Sequence, residues 1–260
     1  MIEDLIKIVK KVSLEVLKIY NTDFDVEYKD DNSPLTKADK IANKIIIDGL
    51  KKISPYPILS EEEKTIPYQI RKNWDYFWMV DPIDGTKEFV KKNGEFTINI
   101  ALIHKNRSIL GIVYAPVIDK LYYAQKGKGA YLIDGTVKYK LPINSKLNNF
   151  TIVASKSHLS NETKEFIENL KEKFIKIDLI SKGSSLKLCM VAQGLANIYP
   201  RLAPTMEWDT AAAHIIVEES GKKVYLYDKT ILPIDYIQDN SLKEISYNKE
   251  NLRNPYFIVI

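Results

Sequence analysis

Asp81-Pro82-Ile83-Asp84-Gly85-Thr86 is the segment of this 260-residue sequence whose residue types and spacing are best suited to chemistry. It directly follows Tyr76-Phe77-Trp78-Met79-Val80, an aromatic and apolar run that reads as a buried strand. A rigid sheet can hold side chains at fixed positions beyond a strand end. Pro82 fixes its own φ and Gly85 permits a sharp turn, so the two carboxylates can converge instead of following strand alternation. Two ionised carboxylates brought that close repel each other unless a cation lies between them. Hard oxygen donors suit Mg²⁺, which takes few carboxylates, retained waters and substrate phosphate oxygens. The amides of Gly85 and Thr86 open the turn at residues 87–90, where a phosphate could be received. The plainer alternative is a tight turn in which Asp81 and Asp84 only cap backbone amides.

The elements that would position this segment follow from periodicity. Ile2, Leu5, Ile6, Val9, Val12, Val16 and Ile19 recur at helical spacing over residues 2–20. A second helix is expected over 37–52, with a stripe of Ala38, Ile41, Ala42, Ile45 and Gly49 and with Ile46 and Leu50 beside it. Phe96, Ile98, Ile100 and Leu102 alternate with Thr97, Asn99 and Ala101, as strand faces do. Further strands are expected at 109–114, 121–124 and 130–133, giving two helices against a mostly antiparallel sheet. Beyond about residue 146 the pattern alternates. Strands at 151–153, 175–179 and 196–199 intersperse with helices at 161–173, 184–193 and 208–220, the last closed by Gly221. The expectation is a layered α/β (α+β) fold with two subdomains, 1–145 carrying the acidic motif and 146–260, and a cleft between them.

Composition narrows the partners. The net charge is +4, but only four of the basic residues are arginine and they are interleaved with acids, so no nucleic-acid footprint is expected. No apolar run approaches the roughly 20 residues of a spanning helix, and the N-terminus has no export-signal architecture. The single cysteine, Cys189, fits a reducing cytoplasm and reads as a small core residue in an apolar stretch. His104 and His214 have no ligand partners at useful sequence spacing and read as structural.

Several separated motifs then coincide. Residues Asn32-Ser33-Pro34-Leu35-Thr36-Lys37-Ala38-Asp39, Leu59-Ser60-Glu61-Glu62 and the stretch from Asp81 to Ile103 come first. Ser155-Lys156-Ser157-His158, Gly183-Ser184-Ser185-Leu186-Lys187, Tyr199-Pro200-Arg201 and Trp208-Asp209-Thr210-Ala211-Ala212 follow in order. Together they resemble the lithium-sensitive, Mg²⁺-dependent phosphatase superfamily of inositol monophosphatase and fructose-1,6-bisphosphatase. Within it the chain is similar to the CysQ-type 3′(2′),5′-bisphosphate nucleotidases, since Lys87-Glu88-Phe89 stands where inositol phosphatases have Thr-Asn-Phe. Ala213 departs from the glycine common after the Trp-Asp motif and removes no ligand.

The resemblance implies a sugar-phosphatase-like αβαβα layering and a site. It implies two or three Mg²⁺ ions held by Glu61, Asp81, Asp84, Asp209 and the carbonyl of Ile83, and an attacking water oriented by Asp39 and Thr86. Glu61, Ile83, Asp84, Gly85, Thr86 and Asp209 would also meet the substrate, with Ser155, His158, Gly183, Ser184, Lys187 and Arg201 around its nucleotide. The bland alternatives stay open. Thr36-x-x-Asp39 also fits a capping box, Glu61 to Glu63 a solvated loop, Asp209 a helix-start cap, His158 a surface loop and Arg201 a loop brace. The implied reaction is hydrolysis of adenosine 3′,5′-bisphosphate to AMP and phosphate, inhibited by lithium, within sulfur assimilation. The implied location is the cytoplasm, with membrane contact at most peripheral to its inner face. The alternatives are an inositol or fructose-bisphosphate phosphatase on the same scaffold, or a metabolite-binding homologue without catalysis.

Overall fold

The computed structural model describes residues 1–28, 34–143, 147–155, 160–239 and 241–260. Helices α1 (Ile2–Tyr20) and α2 (Lys37–Ile53) flank a small antiparallel pair, β1 (Val26–Tyr28) and β2 (Pro34–Thr36). Then come β3 (Ile58–Ser60), the short helix α3 (Tyr68–Arg71), β4 (Tyr76–Asp84) and the five-residue helix α4 (Thr86–Val90). An antiparallel run comes after it: β5 (Thr97–His104), β6 (Arg107–Ala115), β7 (Lys120–Gln125), β8 (Ala130–Asp134) and β9 (Val137–Lys140). Strands β3 to β9 form one seven-stranded sheet in sequence order, with only the β3–β4 pair parallel.

The remaining elements are β10 (Phe150–Ala154), α5 (Asn161–Lys171), β11 (Ile177–Ser181) and α6 (Leu186–Gln193). After them come β12 (Tyr199–Arg201), α7 (Trp208–Glu219), β13 (Val224–Leu226), α8 (Asp235–Gln238) and β14 (Phe257–Val259). Strands β10 and β11 pair in parallel, and a bridge from Ile152 to Ile198 leads to the antiparallel group β12–β14–β13.

Three clusters of buried apolar side chains define the layers. One joins α1 and α2 to the near face of the large sheet through Leu5, Val9, Ile46, Leu50, Ile98 and Ile100. The second packs α6 and α7 between its far face and the second sheet group. The third closes the outside with Phe166 and Leu170 of α5 and Tyr236 of α8. The order helix, sheet, helix, sheet, helix is the αβαβα layering expected.

Two local expectations need correction. The buried stripe of α2 is Ala38, Ala42, Ile46 and Leu50, whereas Gly49 lies on the side toward α1. A Cβ there would come within 2.7 Å of Ile8, so this glycine permits close helix contact. The strand expected at 196–199 is displaced to Tyr199–Arg201, its earlier residues contributing only the Ile198 bridge. Both faces of β5 are buried, because helices cover the sheet on each side. The closest approach is at Gly111 of β6, where a Cβ would stand 2.2 Å from the Ala212 carbonyl oxygen of α7. Ala213, which stands in place of the family's glycine, is itself fully buried in that helix.

Candidate active site

Asp81 and Asp84 reach one side of the sheet through a bulge. Asp81 pairs with Asn99 and Asp84 with Thr97, so β4 has one residue more than β5 between the two pairs. Three residues apart on a regular strand, the two side chains would point to opposite faces. The extra residue cancels that alternation and turns both carboxylates toward α7. The sequence expects this strand at residues 76–80 and the sharp turn at Gly85. The strand continues through Asp84, and the turn comes at Gly85, whose φ is +91°. Thr97 and Asn99, on the same face of β5, lie 3.4 and 3.3 Å from Asp84 Oδ2.

Asp209 is the second residue of α7, and its Oδ2 accepts the Met206 amide at 2.9 Å. One carboxylate oxygen from each of Asp81, Asp84 and Asp209 falls within 4.8 Å of the others. Glu61 stands at the end of β3, its amide bonded to the Val80 carbonyl at 3.1 Å, which puts it beside Asp81. Loss of solvent, then the charges of Glu61, Asp84 and Asp209, hold the Asp81 carboxyl well above the usual range. Asp209 is also raised, by loss of solvent first, then by Asp84 and Glu61. Clustered buried carboxylates that resist ionisation, offering only hard oxygen donors, fit a divalent cation. Glu63, by contrast, takes the Asn43 side-chain amide at 2.7 Å.

Asp39 has both readings left open in the sequence. Its Oδ2 accepts the Thr36 amide and hydroxyl, each at 2.7 Å, completing a capping box on α2. Its Oδ1 lies 3.4 Å from Thr86 Oγ1, which is also 3.2 Å from the Ile83 carbonyl. The cap fixes one oxygen and so orients the other. Asp81 Oδ1 likewise accepts the Ile83 amide at 3.1 Å, which ties the bulge to itself.

Ser185 joins the two halves. Its amide and hydroxyl donate to Asp84 Oδ2 at 2.6 and 2.8 Å, and its hydroxyl also lies 2.5 Å from the Asp209 carbonyl. Sequence reasoning placed Ser185 in a motif but gave it no role, and it passed over Thr97 and Asn99. Alternation had set the latter two opposite the apolar face, which was the available signal.

One cavity is lined by Asp84, Gly85 and Asp209, by Ser155, Gly183 and Ser184, and by Lys187 and Arg201, with Lys87, Tyr199 and Thr205 also in its wall. His158 lies outside the described residues. Lys187 is buried, and its Nζ donates to the Lys182 and Ser184 carbonyls at 3.2 and 2.8 Å, so it braces that loop while standing in the cavity wall. Burial lowers its ammonium to about 8, against the pull of Asp84. Arg201 donates to the Pro204 carbonyl at 2.7 Å, yet its buried Nε has no partner. It therefore braces its loop and still faces the cavity. Cys189 is buried in the core, with its thiol pushed up by loss of solvent.

Comparison with known proteins agrees with this geometry. The model of the inositol monophosphatase family matches residues 1–253. The 3′(2′),5′-bisphosphate nucleotidase CysQ of Escherichia coli K12 is 40% identical over 239 residues, covering 91% of this chain and 94% of its own. The enzyme of the same name from Salmonella typhimurium is 40% identical over 228 residues, covering 86% and 90%. The crystal structure of CysQ from Bacteroides thetaiotaomicron, 43% identical, superposes with a TM-score of 0.84 over 96% of this chain and 92% of that one. Sequence, layering and the convergence of three carboxylates at one sheet edge thus lead to one conclusion: the chain belongs to the inositol monophosphatase family.

Proposed function

We infer that this protein is a 3′(2′),5′-bisphosphate nucleotidase, hydrolysing adenosine 3′,5′-bisphosphate to AMP and phosphate. One observation carries the choice within the family. The wall of a single cavity holds both the carboxylates Asp84 and Asp209 and the cationic side chains Lys187 and Arg201. A substrate with two phosphates suits such a cavity, one phosphate held by cations among carboxylates and the other by cationic side chains. The nucleotidase names of relatives at 40% identity support the same reading.

Glu61, Asp81, Asp84 and Asp209, with the Ile83 carbonyl, would hold Mg²⁺. Bound there, the metal supplies Lewis-acid polarisation of the phosphate and a water of lowered pKa. The chain's own residues do the rest. Thr86 Oγ1 stands where it can orient the attacking water and pass its proton toward Asp39 Oδ1. Asp39 is fixed for that task by the Thr36 amide and hydroxyl. Ser185 holds Asp84, and Lys187 and Arg201 present positive charge to the phosphate that stays. Lithium inhibition, a cytoplasmic setting and a part in sulfur assimilation belong to the same proposal. Among the described residues, no helix is long and apolar enough to cross a membrane.

The test compares kcat/KM for adenosine 3′,5′-bisphosphate, inositol 1-phosphate and fructose 1,6-bisphosphate, with and without a chelator. The nucleotide should be preferred at least about 10-fold, a difference of about 1.4 kcal/mol, and chelation should remove activity. Preference for either sugar phosphate would assign the protein to another branch. Phosphate release that survives chelation would remove the metal from the account.

A further inference from the structure

Glu95 lies outside the acidic cluster, in the loop between α4 and β5, yet it grips the turn that feeds the cluster. Its Oε2 accepts the Gly183 amide at 2.9 Å, and its Oε1 pairs with Lys182 Nζ at 3.0 Å. The Gly183 N–H belongs to the same peptide unit as the Lys182 carbonyl, and Lys187 Nζ donates to that carbonyl at 3.2 Å. A trans peptide points its N–H and C=O in opposite directions. Glu95 and Lys187 therefore hold one peptide plane from its two ends, and it cannot rotate without breaking both contacts.

The next two residues need that restraint. Ser184 has φ +48°, a left-handed conformation unfavourable for a residue with a Cβ. Ser185 comes next, its amide 2.6 Å and its hydroxyl 2.8 Å from Asp84 Oδ2. Packing adds to the grip, since a Cβ on Gly183 would come within 2.7 Å of Glu88 Cγ and 2.8 Å of the Glu95 carbonyl oxygen.

We propose that Glu95 is a positioning residue for the metal site: by fixing the 182–183 peptide it delivers both donors of Ser185 to Asp84 and so orients that carboxylate. The proposal rests on the reading of Asp84 as a metal ligand. It deepens that reading, because the acceptor at Gly183 is what sets the ligand's orientation. The charge of Glu95 matters less than its capacity to accept the amide, and the Lys182 ion pair, partly exposed, is incidental.

The experiment titrates Mg²⁺ against the thermal midpoint of the full chain without substrate, and against hydrolysis in parallel, for E95A, E95Q and K182M. E95A should need about 10-fold more Mg²⁺ for half the thermal upshift and half-maximal rate, the scale expected when the support of a ligand is lost. At saturating Mg²⁺ its kcat should recover to within about 3-fold. E95Q keeps an acceptor for Gly183 and should rescue most of the loss, and K182M should match the wild type. E95D, too short to reach Gly183, should show the same Mg²⁺ requirement as E95A and carries the test if the alanine variant does not fold. A wild-type requirement in E95A and E95D overturns the proposal, as does a loss in K182M equal to theirs. The thermal arm keeps the two readings apart. An upshift in the wild type without nucleotide hydrolysis sinks only the substrate assignment, whereas no upshift in the wild type sinks the metal site and this proposal with it.

Discussion

Asp209, at the start of α7, stands with Asp81 and Asp84; His214 and Glu218, further along the same helix, stand with Glu244. In both groups one ligand-capable atom per residue lies within 4.8 Å of the others. They differ in how charge is met. Arg107 ion-pairs with Glu218 at 2.6 Å and also with Glu244, and Lys223 reaches Glu244 at 2.6 Å. Burial opposes ionisation of Glu244, but hydrogen bonds from Arg107 and Lys223 carry it down to about 2. Asp81 and Asp209 move the other way, upward, through burial and mutual repulsion. Two clusters alike in the spacing of their ligand atoms are thus separated by the sign of their shifts. One is closed by its own cations, with His214 held by the Tyr247 hydroxyl at 2.8 Å. Among the described residues no lysine or arginine forms an ion pair with the other, which is the one suited to an added cation.

Breaking that contrast gives the largest expected effect. Asp84→Asn should cut kcat by roughly 1,000-fold or more, the scale of several kcal/mol of lost charge stabilisation. It should also abolish the Mg²⁺-dependent thermal upshift while leaving the metal-free midpoint equal or higher, because one repelling charge is gone. An Asp84→Asn protein that melts well below the wild type without metal would show the carboxylate to be structural. Asp39→Asn should come next. A loss of about 100- to 10,000-fold in kcat is expected of a removed proton acceptor, with Mg²⁺ half-saturation nearly unchanged. A change confined to KM would move Asp39 out of the proton path.

At the other end of α7 the expectation reverses. Arg107→Met leaves Glu218 and Glu244 poorly paired and should destabilise by about 1–3 kcal/mol, read by denaturant unfolding, with Mg²⁺ half-saturation unaltered. Altered metal dependence would join the two clusters that the structure keeps separate. Acid should act on them differently too. With its folded value depressed, Glu244 contributes stability present above the ordinary carboxylate range of about 4.3 and lost as pH falls toward about 2.

The smallest effect concerns Lys187, at about 8 in the fold against an ordinary 10.5. Between those values the folded state binds fewer protons than the unfolded, so its contribution to stability rises with pH across that window. Function moves oppositely. KM for the bisphosphate should climb a few-fold (about 2–5-fold) as pH passes about 8 and the ammonium is lost, an effect of roughly the size of one weakened charged contact. In Lys187→Met that inflection should vanish from the pH profile of KM. Its persistence would assign the titration to another group.

How much of this could be read in the sequence depended on the range of the interactions. Periodicity located α1, α2 and β5 closely, because an apolar face repeats at 3.6 or 2 residues whatever it packs against, whereas the apolar run at 76–80 marked only the first part of β4, which continues to Asp84. Asp81 and Asp84 stood out because six consecutive residues hold them. The bulge did not, since it depends on the register with Asn99 and Thr97. The two meanings of Asp39 looked like rivals in one dimension. They are compatible because the carboxylate has two oxygens and the fold turns one toward Thr36 and the other toward Thr86.

By itself the sequence determined the long helices and most strands of the large sheet, the family and the chemical character of the donors, all of which reside in residue type and local spacing. Only the tertiary structure decided which acids must share a charge and which are already neutralised. It alone showed that Lys187 props the 182–185 turn, and that Glu95 reaches across 88 positions to the Gly183 amide. The reason is physical: burial and electrostatic repulsion depend on distances through space, and those exist only once α7 has been laid across the sheet at Gly111.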